Sequence, residues 1–239
     1  MGLTLTVLGH SGSYPSAESA CSGYLLRSSS ATLWLDAGNG SLANLQRHVD
    51  LRDVDAVVLS HEHPDHTADL AGFYVACKYY LHRDHVPVYA PAGVSDSVYY
   101  SGDPIAWHDV TDGSRAEIGG LSLTFSRTDH PTETLAVRVD GEGRSLGYSA
   151  DSGPAWSLSS LGPGLDLALC EATYLSDSEG RAQHMSARQA GRSGREAEVR
   201  RLVLTHMQPG VSVEAIAAEG AEAFGRDVEV AAVGAEFAV

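Results

Sequence analysis

The sequence predicts an α/β protein whose β-sheets are mixed, with parallel and antiparallel strands in the same sheet. Strand-like runs alternate with helical patterns along the whole 239-residue chain, which is typical of the α/β class. Tight turns at Gly119-Gly120 and at Gly141-Glu142-Gly143 join neighbouring runs as hairpins, and a purely parallel sheet contains no hairpins. A chain of this length can bury one large core, and we expect a single domain over residues 1–239.

Short runs rich in apolar and β-branched residues predict the strands. They lie at residues 3–8, 24–27, 32–36, 55–60, 121–127, 134–139, 144–149, 165–170 and 199–205. Apolar residues spaced three and four apart predict helices at residues 40–48, 67–81, 186–198 and 213–224. Ser186 and Gln189 have the spacing of a capping box, which supports a helix start there. Residues 84–115 follow neither pattern, and we expect an irregular segment.

The charge of the chain limits its partners. The formal charge is −15, whereas a protein that contacts nucleic acid broadly needs cationic surface to displace counterions. A small anionic substrate is compatible with this charge, because bound divalent metals reverse the sign of the field inside a cleft.

The sequence predicts a cytoplasmic protein that does not contact a membrane. No apolar run approaches the roughly 18 residues of a membrane helix, and the first residues have no signal-peptide pattern. Cys21, Cys77 and Cys170 are odd in number and lack zinc-finger spacing, so we expect neither a disulfide framework nor a zinc finger.

The densest group of metal-ligand residues is the stretch His-Glu-His-Pro-Asp-His at residues 61–66, directly after a predicted strand. Residues two apart in an extended segment point the same way, so His61 and His63 can hold one ion. Asp65 and His66 can then hold a second ion. The alternative is a solvated polar loop in which Asp65 caps the next helix, and that alternative leaves the clustered histidines unexplained.

Two neighbouring ions need more ligands than this stretch carries, and the ends of other predicted strands offer them. His130, Asp151 and His206 each come directly after, or within a few residues of, the end of a predicted strand. Each of them taken alone would more often be a surface or core residue. Their shared position at strand ends makes them candidate ligands.

The order of these residues resembles the ligand set of the metallo-β-lactamase superfamily over nearly the whole chain. The resemblance implies the metallo-β-lactamase fold, a four-layer αββα sandwich of two mixed β-sheets flanked by helices. It also implies two divalent ions, with zinc favoured and manganese or iron as alternatives. One ion would take His61, His63 and His130 and the other Asp65, His66 and His206, with Asp151 bridging them and Asp36 bracing the metal loop.

Asp151 and three further stretches resemble the ribonuclease Z-like phosphodiesterase branch of this superfamily. Some true β-lactamases carry cysteine at the step of Asp151, and an oxygen ligand suits a hydrolase of phosphoesters or other esters. The stretches are residues 8–15, 170–174 and 184–190. Bacterial ribonuclease Z holds transfer RNA with a long arm, but only 20 residues separate His130 from Asp151. Transfer RNA is therefore an unexpected substrate.

A closer resemblance is to the actinobacterial cyclic-nucleotide phosphodiesterases of the same fold. It rests on residues 22–27, 45–48 and 130–133 and on the closing Glu236-Phe237. The likeness is partly structural, since residues 22–27 would form a core strand in any relative. It implies a small phosphodiester substrate, and a cyclic nucleotide is the one we expect.

The expected reaction is attack of a metal-bridging hydroxide on phosphorus, because metal coordination lowers the pKa of water from 15.7 to about 7. We expect Asp65 to orient the hydroxide besides binding metal. The leaving alkoxide needs a proton, and we expect His184, polarised by Glu171, to donate it. This pairing depends on the resemblance. The alternative is that Glu171 ends a strand and His184 begins a helix, with no catalytic role for either.

Other functions stay open beside a phosphodiesterase for small nucleotides. They are a ribonuclease Z-like endonuclease that processes RNA 3′ ends, a hydrolase of a thioester, lactone or β-lactam, and a metal-binding protein without turnover. A homodimer also stays open, because the helix at residues 70–81 carries Phe73, Tyr74, Tyr79 and Tyr80, which could form an apolar patch. The alternative is that these rings are buried.

Overall fold

The computed structural model describes residues 2–98 and 102–239, and two seven-stranded β-sheets form its centre. The first sheet contains β1 (Thr4–Gly9), β2 (Gly23–Arg27), β3 (Thr32–Ala37), β4 (Ala56–Val58), β5 (Val86–Pro91), β6 (Ile105–Val110) and, from the end of the chain, β14 (Glu236–Ala238). Their order across the sheet is β14-β1-β2-β3-β4-β5-β6. Strands β14 to β3 pair antiparallel, and strands β3 to β6 pair parallel.

The second sheet repeats this plan. It contains, in spatial as well as chain order, β7 (Arg115–Ile118), β8 (Leu121–Arg127), β9 (Leu135–Gly141), β10 (Arg144–Tyr148), β11 (Leu167–Glu171), β12 (Arg201–Thr205) and β13 (Glu229–Val230). Strands β7 to β10 pair antiparallel and β10 to β13 parallel. The glycine turns join β7 to β8 and β9 to β10, which confirms both predicted hairpins.

Short helices connect the strands on the outside. They are α1 (Ser41–Leu45), α2 (Pro64–Thr67), α3 (Leu70–Ala76), α4 (Val94–Ser97), α5 (Ala187–Glu196) and α6 (Val213–Phe224), with a π-helical turn at Cys77–Leu81 and 3-10 turns at Leu51–Asp53, Leu158–Leu161 and Ser176–Ser178. The Ser186 side chain accepts from the Gln189 amide and the Gln189 side chain accepts from the Ser186 amide. The predicted capping box therefore starts α5.

Three apolar clusters show that the layers pack as a sandwich. Leu33 and Leu35 of β3 face Leu123 and other residues of the second sheet between the sheets. Trp34 points the opposite way, because side chains alternate along a strand, and its ring meets that of Phe73 edge-on at 5.6 Å. A third cluster lies between the second sheet and helices α5 and α6. The predicted four-layer αββα sandwich of two mixed sheets is confirmed.

The prediction of an irregular segment over residues 84–115 is wrong for most of that segment. It contains β5, α4 and β6, while residues 99–101 lie outside the described residues. Buried Val86 and Val88 alternate with half-buried neighbours as in a strand, but Pro87 and Pro91 argue against one. The two- and three-residue strands β13 and β14 are too short to show any periodic pattern.

The predicted helix at residues 67–81 begins earlier and is divided between α2, α3 and the π-helical turn. Phe73 and Tyr74 are buried in it, whereas Tyr79 and Tyr80 are 61% and 73% exposed. Burial thus accounts for half of the aromatic patch, and the homodimer stays a prediction.

The three cysteines are buried and unpaired in the structure. Within the described part of the chain, no helix combines the length and the apolar character that a membrane span requires.

Two buried tyrosines connect the sheets near the edge where the predicted ligands lie. The Tyr148 hydroxyl of the second sheet donates to Asp36 Oδ2 of the first over 2.6 Å. The hydroxyls of Tyr24 in the first sheet and Thr205 in the second are 2.7 Å apart. The two tyrosine rings also pack, with centroids 5.2 Å apart. Hydrogen bonds are strong in such a low-dielectric interior, and these two fix the spacing of the sheets.

Tyr148→Phe should lower the free energy of unfolding of the metal-free protein by about 1.5–3 kcal/mol, the range for a hydrogen bond to a charged group. The ring keeps its contact with Tyr24, so the loss reports the hydroxyl alone. Urea unfolding followed by circular dichroism measures it. The control is Tyr174→Phe, since the Tyr174 hydroxyl donates to the neutral Ala182 carbonyl over 2.9 Å and should contribute only about 0.5–1.5 kcal/mol. Equal losses would contradict a special contribution from Asp36.

Helices α5 and α6 cross so closely that glycine is needed at the contact. A Cβ added to Gly191 of α5 would overlap the backbone oxygen of Gly220 in α6. A Cβ added to Gly72 of α3 would meet only the side-chain end of Leu42, at 2.9 Å. The first obstacle is backbone and cannot move alone, whereas the second can rotate away.

Gly191→Ala should therefore destabilise the protein by about 1–3 kcal/mol through overpacking, in spite of the ~1 kcal/mol by which alanine is favoured over glycine inside a helix. Gly72→Ala is the matched control, and its stability should stay the same or rise by up to about 1 kcal/mol. Thermal and urea unfolding of both variants measure the difference. A Gly191→Ala protein as stable as Gly72→Ala would show that the helices separate without cost.

Candidate metal centre

Four of the predicted ligands lie in the loop that runs from the end of β4 into α2. Pro64 is the first residue of α2, a position where its missing N–H leaves no hydrogen bond unmade. His61 and His63 precede it in the loop, and Asp65 and His66 occupy the first helical turn. His61, Asp65 and His66 are buried, and His63 is partly exposed.

The other three ligands, His130, Asp151 and His206, follow β8, β10 and β12 of the second sheet. These strands run in the same direction, so their carboxyl ends share one edge of the sheet. Ala150 and His206 have φ values of 53° and 55°, and Asp36 at the end of β3 has 54°. Left-handed backbone is uncommon for residues with a Cβ and tends to occur at functional sites. These sharp bends at strand ends are not visible in the sequence.

The first group of ligand-type side chains consists of three histidines and Asp151. His61 Nε2 lies 3.0 Å from His63 Nδ1, and His130 Nε2 lies 3.4 Å from the same atom. Asp151 Oδ2 lies 3.7 Å from His61 Nε2. One donor atom of each of the four residues falls within 4.8 Å of the others, close enough to surround a single ion.

The second group contains Asp65, His66, His206 and again Asp151, with the same 4.8 Å limit. His66 Nε2 and His206 Nε2 are 3.3 Å apart, and Asp151 Oδ1 lies 3.2 Å from each of them. Asp65 Oδ2 lies 3.3 Å from His206 Nε2. Asp151 therefore directs one oxygen to each group, and the structure brings all seven predicted ligands together as two adjoining sets.

Asp36 orients the histidines of the loop through Ser60. It accepts from the Ser60 amide at 2.7 Å, from the Ser60 hydroxyl at 2.8 Å and from His66 Nδ1 at 2.7 Å. A carboxylate only accepts, so His66 Nδ1 carries a proton. Since the Ser60 hydroxyl gives its proton to Asp36, its oxygen accepts from His61 Nδ1, 2.9 Å away. In the neutral form of both rings, Nε2 then faces the centre without a proton, which is the tautomer that metal ligation requires.

The donor atoms of the second group need a positive charge between them. The lone pairs of His66 Nε2 and His206 Nε2 converge with two carboxylates, and the buried Asp151 Oδ1 has no hydrogen-bond partner in the described residues. Burial by itself would lower the pKa of His66, but the carboxylates of Asp151 and Asp36 raise it well above its usual range. A proton or a metal cation must therefore sit here, and both His/Asp groups are suited to divalent metal ions.

The structure also brings Glu171 and His184 together, beside the second group. Glu171 is fully buried as the last residue of β11, and its Oε1 lies 3.1 Å from His184 Nδ1. The His184 ring stacks on that of His206, with centroids 5.4 Å apart. Burial by itself would lower the pKa of His184, but Glu171 and then Asp151 raise it to about 9. His184 precedes α5 and is not part of it.

Three residues near the centre have no role predicted from the sequence. The Ser13 amide donates to Asp65 Oδ2 over 2.7 Å, Ser60 connects His61 to Asp36, and the Thr173 hydroxyl lies 3.1 Å from His206 Nδ1. Ser13 and Thr173 belong to two of the stretches that resemble ribonuclease Z. That resemblance is the only signal for them in the sequence, because serine and threonine are too common to stand out.

Comparison with known proteins agrees with this architecture. A family model described as a beta-lactamase superfamily domain matches residues 32–207. The chain is 36% identical to the uncharacterized protein Rv1339 of Mycobacterium tuberculosis over 240 residues, which is 94% of this chain and 88% of that protein. It is 31% identical to ribonuclease Z of Methanopyrus kandleri over 141 residues, 58% of this chain and 50% of that protein.

A third relative has a crystal structure. The chain is 32% identical to the probable metallo-hydrolase YhfI of Bacillus subtilis over 216 residues, 86% of this chain and 87% of that protein. The structure of YhfI, a metallo-beta-lactamase fold protein, matches with a TM-score of 0.90 at 29% identity over 98% of both chains. The chain therefore belongs to the metallo-β-lactamase superfamily, and its relatives there include a probable metallo-hydrolase and a ribonuclease Z.

Proposed function

We propose that the protein is a two-metal phosphodiesterase that hydrolyses a small phosphodiester, with a cyclic nucleotide as the favoured substrate. The observation that carries the proposal is Asp151, whose two oxygens face different histidine groups. A carboxylate shared in this way suits two neighbouring ions, which is an arrangement used for in-line displacement at phosphorus. A ribonuclease, by its name, cleaves RNA, so the Methanopyrus relative supports phosphodiester chemistry.

Zinc is the metal that we propose for both positions, with manganese or iron as alternatives, because zinc accepts imidazole and carboxylate ligands. His61, His63 and His130 would hold the first ion, Asp65, His66 and His206 the second, and Asp151 both. Two such ions, when bound, lower the pKa of water and neutralise charge on the phosphoryl oxygens.

The remaining residues supply orientation and a proton. Asp65 is held by the Ser13 amide, and we assign it the orientation of the attacking water besides its ligand role. The Glu171 carboxylate accepts a hydrogen bond from His184 Nδ1. His184 Nε2 is then the atom that gives a proton to the leaving oxygen. His184 is partly exposed, with 15% of its side chain accessible, so a substrate can reach it. Glu171 is buried and acts through His184.

The preference for a small substrate rests on shape and charge. All residues between His130 and Asp151 are described, and they form the β9–β10 hairpin and its flanking loops. That connection has no extended arm with which to hold transfer RNA. The charge of −15 also opposes a long polyanion, which needs many cationic contacts.

Protein purified without chelator should contain about two equivalents of zinc, manganese or iron per chain, because three or four protein ligands plus water complete each site. Elemental analysis measures this. His63→Ala should lose metal and activity, since His63 Nδ1 faces the Nε2 atoms of His61 and His130. His85→Ala, at a surface histidine whose side chain is 79% exposed, is the control and should keep both. Full metal content and full activity in His63→Ala would overturn the ligand assignment.

With added zinc or manganese the protein should hydrolyse cyclic AMP and bis(p-nitrophenyl) phosphate, and act poorly on precursor transfer RNA, nitrocefin and an acyl thioester. His184→Ala should slow cyclic AMP hydrolysis by roughly 10²–10⁴, the usual contribution of a general acid. It should affect bis(p-nitrophenyl) phosphate much less, because p-nitrophenolate leaves without a proton. Initial rates on each substrate measure both effects.

Three outcomes of these assays would contradict the proposal. Efficient 3′ cleavage of precursor transfer RNA without turnover of cyclic AMP would make the protein a processing endonuclease. Turnover of nitrocefin or the thioester alone would make it a carbon-ester hydrolase. Equal losses of rate on both phosphodiesters in His184→Ala would give His184 a binding or structural role instead of proton donation.

A further inference from the structure

Glu171 has more partners than a residue that only orients His184 would need. Its Oε1 faces His184 Nδ1 at 3.1 Å and accepts from the Ser152 amide, directly after Asp151. Its Oε2 accepts from the Thr173 hydroxyl at 2.6 Å and from the Met185 amide at 3.2 Å. One oxygen thus serves the proposed proton donor, and the other serves Thr173.

The Thr173 hydroxyl connects Glu171 to the metal-ligand candidate His206. A hydroxyl has one proton, and a carboxylate can only accept, so the Thr173 proton goes to Glu171. The Thr173 oxygen is then free to accept from His206 Nδ1, which lies 3.1 Å away. With its proton on Nδ1, His206 turns Nε2, which carries a lone pair, toward Asp151 Oδ1 and Asp65 Oδ2.

The first sheet contains the same three-part chain. There His61 Nδ1 donates to the Ser60 oxygen, and the Ser60 hydroxyl donates to Asp36. Asp36 and Glu171 are both fully buried and both lie at the ends of strands, β3 and β11. Each metal group therefore has one histidine whose tautomer is set by a carboxylate acting through a hydroxyl.

We propose that Thr173 is a positioning residue for the second metal position, and that Glu171 serves two branches, one through Thr173 to His206 and one directly to His184. This inference rests on the two-ion centre proposed above. Thr173 itself is not a ligand, because its hydroxyl faces Nδ1 of His206 and not the nitrogen that faces the other donor atoms. Its backbone is held independently, since its amide donates to Met185 and its carbonyl accepts from Gln208.

The branches can be separated by substitution. Thr173→Val keeps the shape of the side chain and the backbone hydrogen bonds but leaves His206 Nδ1 without its acceptor. Loss of such an outer partner typically weakens metal binding by roughly 10–100-fold. The zinc affinity of the second metal position should fall by that factor, while the position of His61, His63 and His130 keeps its zinc affinity. Thr173→Ser retains the hydroxyl and should bind both zinc ions as the wild type does.

Competition between the metal-free protein and a chromophoric zinc chelator measures both affinities without any assay of turnover. Thr134→Val is the matched control, because Thr134 is also buried but its hydroxyl donates to the Thr132 carbonyl at 3.3 Å and not to a partner of a candidate ligand. It should bind zinc as the wild type does. His184→Ala removes only the hydrogen bond between Glu171 and His184. This variant should also keep both zinc affinities.

Unchanged binding of both zinc ions by Thr173→Val would overturn the inference and leave the proposed function standing. Equal weakening in Thr173→Val and Thr173→Ser, or in His184→Ala, would overturn it as well, since the hydroxyl would then not be the cause. If the valine variant does not fold, Thr173→Ala takes its place with the same expected weakening. A wild-type protein that binds no zinc, manganese or iron would instead overturn the proposed two-metal function.

Discussion

The buried carboxylate of Asp36 is the group on which the geometry of the metal centre depends. It accepts hydrogen bonds from the amide and hydroxyl of Ser60, from His66 and from Tyr148. A carboxylate without water is stable only when such donors surround it. The bonds to Ser60 and His66 hold the metal loop of the first sheet, and the bond to Tyr148 reaches the second sheet. One side chain therefore sets the position of the loop relative to the strand ends that supply the remaining ligands.

The centre concentrates electron-pair donors at a place from which water is largely excluded. Two imidazole lone pairs and two carboxylates converge in the second group, and Asp151 joins it to the first. Their mutual repulsion disfavours the folded chain unless a positive charge lies between them. The neighbouring carboxylates raise the pKa of His66 for the same reason. Because a metal ion binds the assembled site and not the unfolded chain, its binding free energy adds to the stability of the fold.

The two halves of the sandwich each orient a histidine in a similar way. Each sheet has an antiparallel part followed by a parallel part, and each contributes a strand-end carboxylate, Asp36 or Glu171, that controls a histidine through a hydroxyl. The halves differ in what else the carboxylate contacts. Asp36 also holds His66, a buried ligand candidate, whereas Glu171 also holds the partly exposed His184. In the function proposed above, this one buried side chain would connect metal binding with proton delivery.

The sequence by itself determined the features that depend on local spacing. The six-residue metal stretch at 61–66, the hairpin turns at Gly119-Gly120 and Gly141–Gly143, and the capping box of Ser186 all follow from residues close together in the chain. The resemblance to the metallo-β-lactamase superfamily implied the sandwich fold, and position at strand ends indicated the other candidate ligands. Strand β5 was hidden, because Pro87 and Pro91 oppose the pattern that its buried neighbours make.

Only the tertiary structure decided how distant residues meet. Asp36 and Tyr148 are 112 positions apart, and Asp65 and His206 are 141 apart, so no local pattern could pair them. The positive φ of Ala150 and His206 is likewise unfavourable locally and persists because the surrounding contacts outweigh its cost. Hydroxyls such as those of Ser60 and Thr173 acquire their roles in the same way, since a hydrogen bond depends on where the fold places its two partners.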